Sequence, residues 1–484
     1  MTINKIRRVT GNIIALLTSD IANRGSTFVL YALVARYLGA YEFGQLSLGI
    51  TFFYMFQILA AVGLKTLITR EVAKDKTKTE QYFVNSSAVV VMSVSLSIIT
   101  LLLVIRLLDY APDTTSIIFL MSLGLLPASL SLICEAVFEA WEKMHYITYA
   151  MIPANIAKVG LAFLLLAGGY PLIYLVIMLF FIRLIILGIQ WWLISQKITR
   201  PRPKIDLNFS LALVKSSVTF FGIEGISVIW ATLSIIVLSK FANETKVGLY
   251  SAARQLTLPI AVMMRSIMAS VFPIMARKFG TGIQSLNQVS EYLIQVMVSI
   301  ILPAVVGLYC LADSALLFVY GGGDFVEASA VLRIMVWGPL FTAFIYVFGY
   351  TLLASHREKV TLRIVIINLM VKLVCAFALI SQFGLIGAAI AGLVSEAVNL
   401  VQHYIPVSGL LSKTTISRLV WKPVVAVTAM ALFLVTFKDQ GIFLTIVSAG
   451  IIYTGALLAL TIWSSGGVYQ FKTKYLQYGL DSKA

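Results

Sequence analysis

The sequence predicts an all-α, polytopic membrane protein. Of its 484 residues, 60% are hydrophobic and only 12% are charged. The mean hydropathy is +0.94, and soluble chains of ordinary composition carry about twice as many charged residues. The apolar residues also cluster in long runs of about 20 residues, the length that crosses a bilayer as a helix. Inside a bilayer the backbone must satisfy its own polar groups, so these runs are expected to be helical.

Fourteen apolar segments are long enough to span a bilayer. The first contains Asp20 and Arg24 before any small-residue cleavage site, so it is expected to remain as an uncleaved first helix. Five prolines inside the segments, at 127, 153, 259, 303 and 339, are expected to kink their helices. The predicted spans are 12–38, 42–68, 83–108, 116–138, 147–168, 172–195, 211–239, 247–274, 291–312, 328–353, 360–382, 385–407, 419–437 and 442–463.

The basic residues predict the orientation in the membrane. The chain has a formal net charge of +16, and one set of alternate loops holds 22 Lys and Arg residues while the opposite set holds five. Cytoplasmic loops of membrane proteins are the basic ones. Both termini are therefore expected in the cytoplasm, with the protein as a multi-pass component of the inner or plasma membrane. This distribution accounts for the charge without a nucleic-acid partner.

The sequence contains no pattern typical of an enzyme, a cofactor site or a metal site. Its three cysteines lie singly in apolar segments. The GGG run at 321–323 lacks the lysine and the helix start of a phosphate-binding loop. A membrane glycan polymerase or ligase would need a catalytic surface outside the membrane, and the longest outer loop, around 313–327, has no histidine. We therefore expect a protein that is not an enzyme and binds no cofactor.

One loop divides the chain. Pro201, Pro203 and four basic residues in 195–210 prevent a helix from continuing there. The predicted organisation is a six-helix lobe at 1–195, a basic cytoplasmic linker at 196–210, a second six-helix lobe at 211–407, and helices 13 and 14 with a cytoplasmic tail at 408–484.

The two predicted lobes resemble each other in sequence. Six is an even number of spans, so both lobes start from the same side of the membrane. A duplication would then be parallel, with a pseudo-twofold axis along the membrane normal. At an offset of 204, Gly44 corresponds to Gly248, Ser47 to Ser251 and Asp20 to Glu224, and at an offset of 214 Lys158 corresponds to Lys372.

Several basic residues lie inside the predicted spans. An unpaired lysine at bilayer depth costs roughly 2.5 to 3.5 kcal/mol on insertion scales, so such residues usually have a use. Bases near span ends can extend to the interface, which is the simpler explanation for Lys65, Lys215, Arg265 and Arg333. The deeper ones are expected to bind an anionic substrate in an internal cavity, with buried structural ion pairs as the alternative. These substrate-site candidates are Arg24, Lys158, Arg183, Arg254 and Lys372.

Three acidic residues are candidates for ion coupling, namely Asp20, Glu224 and Glu396. Asp20 and Arg24 are four residues apart, so they can pair on one helix face. Glu224 has Phe220 and Val228 at those offsets, so its partner must come from elsewhere. A carboxylate beside apolar surface takes up a proton more readily, which makes Glu224 and Glu396 the better proton carriers. A fixed ion pair with an arginine is the alternative for each acid.

Four fragments resemble one known family when they are taken together in order. They are ARYLGAYEFGQLSLG at 35–49, GLKTLITREVAK at 63–74, VGLYSAARQL at 247–256 and VYGGGDFVEASAVLRIM at 319–335. The sequence resembles the polysaccharide (lipid-linked oligosaccharide) flippases of the multidrug/oligosaccharidyl-lipid/polysaccharide exporter superfamily. The resemblance implies two six-helix lobes around a central cavity that alternates in access.

The resemblance also implies a substrate and partners. The substrate would be an undecaprenyl-type lipid diphosphate oligosaccharide, moved to the outer leaflet, and membrane lipids would surround the protein. By the same resemblance, a polysaccharide polymerase and export machinery would be further partners. Helices 13 and 14 are similar to the extra pair of lipid II flippases, so a lipid II flippase is one alternative. A multidrug exporter is another, although cationic drugs favour an acidic cavity and the predicted interior has eight bases against four acids.

Overall fold

A computed structural model of the chain describes residues 3–409, 416–437 and 441–464, and it contains helices and no β-strand in those ranges. This confirms the predicted all-α class. Short 3₁₀ turns at Lys76–Lys78 and Gly323–Ala328 connect some of the helices. The α-helices are α1 Ile3–Leu38, α2 Ala40–Ala61, α3 Leu64–Lys74, α4 Thr79–Leu108, α5 Pro112–Leu123, α6 Leu125–Ala140, α7 His145–Ala167, α8 Leu172–Lys197, α9 Leu207–Phe241, α10 Glu244–Gly280, α11 Ile283–Cys310, α12 Ala312–Tyr320, α13 Ser329–Met335, α14 Gly338–Ala354, α15 Glu358–Ser408, α16 Ile416–Thr436 and α17 Ile442–Ser464.

Twelve helical segments in the described ranges are long and apolar enough to cross a membrane. The multi-pass prediction is therefore confirmed, whereas the exact count of fourteen stays a prediction. Helix α1, which contains the predicted first span, is not among the twelve segments, and its middle carries Asp20, Asn23 and Arg24. Helix α15 counts once although it contains two predicted spans, 360–382 and 385–407.

The 51-residue helix α15 is broken between those two predicted spans. Gly384 has φ 53° and ψ −123° in the middle of the element, a conformation open essentially to glycine alone. Three residues later, a Cβ at Gly387 would lie 2.0 Å from the backbone oxygen of Leu379. The two halves of α15 therefore behave as separate helices joined at a glycine.

Two predicted spans contain a helix break, and the first break corrects a sequence-based boundary. The span at 42–68 ends at Ala61, because Val62 and Gly63 both adopt left-handed backbone conformations before α3 begins. The span at 116–138 lies within one candidate membrane-crossing segment, Pro112–Ala140, in which α5 ends and α6 begins at Gly124.

Two of the five prolines also lie in first turns, where a missing N–H removes no helical hydrogen bond. Pro127 is in the first turn of α6, and Pro339 is at the start of α14. The other three, at 153, 259 and 303, lie inside helices as predicted.

The described residues form two compact units, unit 1 up to Ser251 and unit 2 from Ala252. In unit 1, α1 packs along α7, and α2 packs against α4, α5 and α9. Fully buried phenylalanines at 43, 52, 53, 56, 83 and 138 fill its core. Helix α9 contacts α2, α3 and α4, although the sequence assigns it to the second lobe. The domain boundaries drawn from the sequence stay a prediction.

Unit 2 is built around α11 and α14. Its core includes Met264, Met297, Ile301, Val347 and Leu352. Helices α16 and α17 pack on each other and on α11. The hydroxyl of Tyr453 in α17 donates to the backbone oxygen of Ser299 at 2.7 Å, which attaches the C-terminal helix pair to this unit.

The linker is shorter than expected. Helix α8 ends at Lys197 and α9 begins at Leu207, so the non-helical stretch is 198–206 rather than 196–210. Asp206 caps α9, since its carboxylate accepts from the N–H of Phe209 at 3.1 Å. The backbone N–H of Asp206 itself donates to Asn85 Oδ1 at 2.8 Å. These contacts hold the end of the linker against α4.

Candidate functional site

Unit 1 encloses a cavity of about 390 Å³. Six helices contribute to its wall, so side chains far apart in sequence face the same space. The polar and charged lining residues are Ser19, Asp20 and Asn23 of α1, Tyr54 and Gln57 of α2, Lys65 of α3, Ser131, Glu135 and Glu139 of α6, and Arg183 of α8. Of the residues predicted as a site from the sequence, only Asp20 and Arg183 line this cavity.

Arg183 is the basic residue of the cavity that lacks an acidic partner. Its guanidinium carbon lies 3.5 Å from the centre of the Phe53 ring, a cation–π contact that fixes the plane of the group. Its Nη1 atom is buried and has no hydrogen-bond partner among the described residues. The break at Gly124 makes room for it, since a Cβ there would lie 3.1 Å from Arg183 Cδ. A guanidinium with one buried, unused donor is suited to an anion.

Lys158 lies close to Arg183, within electrostatic range. Only 7% of Lys158 is exposed, and its ammonium donates to the hydroxyl of Thr27 at 3.3 Å. No carboxylate lies within 4 Å of it in the part of the chain that the structure describes. Two buried bases that repel each other and share no acid are costly unless an anion joins them.

A polar seam between α1 and α7 positions Lys158. Ser19 donates to Thr148 at 3.0 Å, and Ser26 donates to Asn155 at 2.7 Å. Asn155 lies nearly one turn before Lys158 on the same helix, so the same helix packing directs both side chains towards α1. Hydrogen bonds of this kind commonly join membrane helices.

Lys65 is paired with two carboxylates rather than extended to the interface. Its ammonium lies 2.7 Å from Glu135 and 3.1 Å from Glu139. Lys65 is in α3, between two membrane spans. Burial by itself lowers the pKa of this ammonium, but the charges of Glu135 and Glu139 outweigh burial, so the pKa is raised above its ordinary value. Glu224 of α9 is also within electrostatic range of Lys65, so three acids surround one ammonium.

The predicted pair on α1 is confirmed. Arg24 donates to Asp20 at 2.8 Å, and the two side chains are 49% and 52% exposed. Asp20 faces the cavity, whereas Arg24 is not among the lining residues. Because Arg24 is neutralised within its own helix, its charge is less available to a ligand than that of Arg183.

Unit 2 brings three of the predicted residues together. Lys372 lies within electrostatic range of both Arg254 and Glu396. The Glu396 side chain also hydrogen-bonds Asn399 and Thr342. The predicted substrate residues Arg254 and Lys372 are therefore neighbours of the predicted coupling residue Glu396. A structural ion pair of Lys372 with Glu396, the alternative that the sequence left open, is compatible with this geometry.

The sequence reading missed Glu139 and the Phe53 ring. Glu135 and Glu139 are four residues apart on α6, and that spacing was a usable signal because it places both carboxylates on one face. The Phe53 contact had no signal, since it joins α2 to α8.

The fold and the cavity define a multi-pass helical membrane protein with a charged internal site in unit 1. The chain belongs to the polysaccharide biosynthesis protein family, which matches residues 9–279. The protein named "Probable low-salt glycan biosynthesis flippase Agl15" from Haloferax volcanii is 24% identical over 425 residues, which cover 84% of this chain and 85% of the relative. The succinoglycan biosynthesis transport protein ExoT of Rhizobium meliloti is 25% identical over 322 residues, which cover 65% of this chain and 63% of the relative.

Solved structures share the fold. The lipid II flippase MurJ, in an inward closed conformation, aligns with a TM-score of 0.76 at 15% identity and covers 96% of this chain and 99% of its own. An inward-facing multidrug resistance transporter of the MATE family aligns with a TM-score of 0.68 at 14% identity, covering 84% of this chain and 100% of its own. The all-α fold shared with these transporters is thereby confirmed, whereas the layout of two six-helix lobes stays a prediction.

Proposed function

We propose that this protein is a flippase that moves a lipid diphosphate-linked oligosaccharide from the cytoplasmic to the outer leaflet for surface polysaccharide biosynthesis. One observation carries the proposal: Lys158, which is buried, and Arg183, whose Nη1 atom is buried, are like-charged neighbours without an acidic partner in the described residues. Membership of the polysaccharide biosynthesis family supports it, as do the names of a glycan biosynthesis flippase and a succinoglycan transport protein among the relatives.

The chemistry of the two bases suits a diphosphate. A diphosphate that leaves water needs charge-assisted hydrogen bonds, each worth roughly 1.5 to 3 kcal/mol. Arg183 offers a planar fork in contact with the Phe53 ring, and Lys158 offers a point charge with donors beyond the one that binds Thr27. Tyr54, Gln57 and Asn23 on the cavity wall can hydrogen-bond the hydroxyl groups of the glycan.

The five basic candidates differ in how well they suit this role. Lys158 and Arg183 are the strongest, because no acid in the described part of unit 1 pairs with them. Arg24 is neutralised by Asp20, and Lys372 has Glu396 near it, so both would have to exchange partners when substrate binds. Arg254 shares the neighbourhood of Lys372 and would act with it. Asp20, Glu224 and Glu396 are the proposed coupling acids.

The proposed setting is the inner or plasma membrane with both termini in the cytoplasm, as the distribution of basic residues indicates. Transport in that direction is helped by an inside-negative potential, which contributes about 2.3 kcal/mol per elementary charge per 100 mV. The diphosphate carries net negative charge outward and gains from this field.

A multidrug exporter is the second candidate, and one observation favours it. The charged residues lining the unit 1 cavity are three acids, Asp20, Glu135 and Glu139, and two bases, Lys65 and Arg183. A cationic drug would suit an acidic wall. However, two of these acids are already paired with Lys65, and Asp20 is paired with Arg24, which leaves Arg183 as the uncompensated charge.

The test is transport in proteoliposomes that carry either a labelled lipid diphosphate oligosaccharide or a cationic dye. We expect Lys158→Ala and Arg183→Ala each to reduce lipid diphosphate movement about tenfold or more, since each removes one charge-assisted contact, with normal amounts of inserted protein. Lys215→Ala is the matched control, because Lys215 is an exposed lysine inside a span. Unchanged flipping in the double variant, or dye transport without flipping, would overturn the proposal.

A further inference from the structure

Three chain junctions meet at one end of unit 1. The indole N–H of Trp141, just after α6, donates to Thr79 at the start of α4 at 3.0 Å. Lys143 in the same turn donates to the backbone oxygen of Lys197 at the end of α8 at 3.2 Å. These two hydrogen bonds fix the α3–α4, α6–α7 and α8–α9 connections beside one another.

Two lysines from different junctions approach the same ring. The ammonium groups of Lys76 and Lys143 each lie 5.3 Å from the centre of the Trp141 ring. Lys143 is also 5.9 Å from the ring of Tyr146. Because the indole edge is held by Thr79, both ammonium groups are kept near one fixed aromatic ring. We call Lys76, Trp141 and Lys143 the Trp141 site.

Neither lysine of the Trp141 site has an acidic partner. No carboxylate lies within 4 Å of Lys76 or Lys143 in the described part of the chain, whereas the flanking lysines are paired. Lys74 lies 3.1 Å from Glu71, and Lys78 lies 3.6 Å from Asp75. Lys74 and Lys78 are thus neutralised by neighbouring carboxylates, whereas Lys76 and Lys143, the two lysines at the Trp141 ring, are not.

A pocket adjoins the site and leads to exposed aromatic surface. It is lined by Gly11, Asn12, Glu142, Lys143 and His145. The backbone of Glu142 adopts a left-handed conformation, with φ 55°, and its carbonyl accepts from Asn12 at 2.9 Å. This tight turn joins Trp141 to Lys143, and Glu142 is the one acid among the described residues that line the pocket.

The aromatic surface identifies the depth of the site in the membrane. Tyr149 is 60% exposed and its ring lies 5.5 Å from that of His145. Trp192, near the end of α8, is 59% exposed. Exposed Tyr and Trp side chains at the ends of spans sit at the level of lipid headgroups. A ligand at the Trp141 site would therefore lie at headgroup depth, beside lipid.

We propose that Lys76 and Lys143 bind the phosphate of an anionic phospholipid headgroup over the Trp141 ring. Two compact ammonium groups provide several donors for a singly charged phosphodiester, and basic pockets at this depth attract anionic lipid headgroups. The bound lipid would join the three junctions from outside. The inference is independent of the proposed transport activity, because the site is separate from the unit 1 cavity.

The experiment compares purified full-length protein in zwitterionic vesicles and in vesicles containing phosphatidylglycerol. Native mass spectrometry counts retained lipid, and thermal unfolding measures stabilisation. We expect the parent protein to retain phosphatidylglycerol and to melt higher in its presence. The double variant Lys76→Gln/Lys143→Gln is expected to bind the lipid about tenfold more weakly or worse and to lose most of the thermal shift.

The matched control is Lys74→Gln/Lys78→Gln, which removes two lysines that flank Lys76 but leaves the Trp141 site intact. We expect it to retain the lipid. An equal loss in the control would mean diffuse surface attraction and would overturn the proposal, as would retention of the lipid in the double variant. A third set of vesicles carries a prenyl diphosphate in zwitterionic lipid. Binding of that diphosphate at Lys76 and Lys143 in preference to phosphatidylglycerol would also overturn the assignment.

Discussion

Gly44 and Gly248 face each other across a backbone contact between α2 and the first turns of α10. A Cβ on Gly44 would lie 1.8 Å from the backbone oxygen of Glu244, and a Cβ on Gly248 would lie 2.1 Å from the backbone oxygen of Ala40. Ala40 and Glu244 are separated by the same offset of 204 residues as the two glycines. Each glycine therefore accommodates the carbonyl that precedes the other glycine by one helical turn.

The reciprocity of this contact is what a local twofold axis between the two segments would produce. The duplication inferred from the sequence stays a prediction, and this contact is the structural feature that agrees with it most directly. Small residues that allow two backbones to approach are typical of helix contacts in membranes. Both positions lie in unit 1, so the contact belongs to its packing.

The first prediction concerns this glycine pair. Gly44→Ala and Gly248→Ala should each lower stability by about 1 to 3 kcal/mol, because the added methyl group forces the helices apart. The double variant should cost less than the sum, since the first separation relieves the second clash. Thermal unfolding in detergent measures this. Gly188→Ala, at an exposed position of α8 with nothing within 4 Å, is the control. Fully additive losses would contradict a shared contact.

A second prediction follows from the paired lysine. Lys65→Met should destabilise the protein by about 3 kcal/mol, because it leaves Glu135 and Glu139 together without a counter-charge. Lys74→Met, in the same helix, should cost less than about 1 kcal/mol, since Lys74 is 64% exposed in its pair with Glu71. Thermal unfolding of both variants gives the comparison, and equal losses would contradict a structural role for the Lys65 pair.

The pH dependence of the Lys65 pair has a definite sign. The pKa of Lys65 is raised in the folded protein, so its contribution is fully present below the ordinary lysine value of about 10.4. It is lost only as pH rises through the raised pKa. The parent protein should therefore keep this contribution from pH 6 to 9.

The fold was largely predictable, because long apolar runs in a bilayer have no alternative to the helix. The points at which a predicted span is interrupted were not predictable from the sequence. Val62 and Gly63 interrupt a continuous apolar run because α9 packs against the turn: a Cβ at Gly63 would lie 2.5 Å from the backbone nitrogen of Phe221. Nothing near residue 63 in the sequence specifies that approach.

The site was predictable only where both partners lie on one helix. Asp20 and Arg24 pair as their spacing indicates. Lys65 pairs with residues of α6 that are 70 or more positions away, and the register between two helices is not encoded in either of them alone. The same reason explains why Phe53 could not be assigned to Arg183.

The third prediction tests the topology. A reporter inserted after Lys204, in the non-helical 198–206 stretch, should read as cytoplasmic. A reporter after Asp324, an exposed residue in the turn between α12 and α13, should read as periplasmic. A third insertion after Asn243, between α9 and α10, is the control. It is separated from Lys204 by one span, so it should report the opposite side. The reverse result at Lys204 or Asp324 would contradict the fourteen-helix arrangement.

The last prediction concerns ion coupling through Glu224. Glu224 lies within electrostatic range of Lys65. The ammonium group of Lys65 already forms ion pairs with Glu135 and Glu139. No base lies within 4 Å of Glu224 in the described residues. Of the three carboxylates near this ammonium, Glu224 is the one without a direct ion pair among the described residues, so it is the proposed proton carrier.

Glu224→Gln should therefore abolish the stimulation of transport by a pH gradient while leaving the amount of inserted protein near normal. The measurement is lipid diphosphate movement in proteoliposomes with and without an imposed gradient. Glu71→Gln is the matched control, because Glu71 is an acid of α3 paired with Arg70 and Lys74 outside the cavity, and it should respond to the gradient as the parent does. If the parent protein transports equally with and without the gradient, coupling through Glu224 is refuted. If Glu224→Gln keeps the full response, the proton is carried by another acid, and Glu396 is then the residue to substitute.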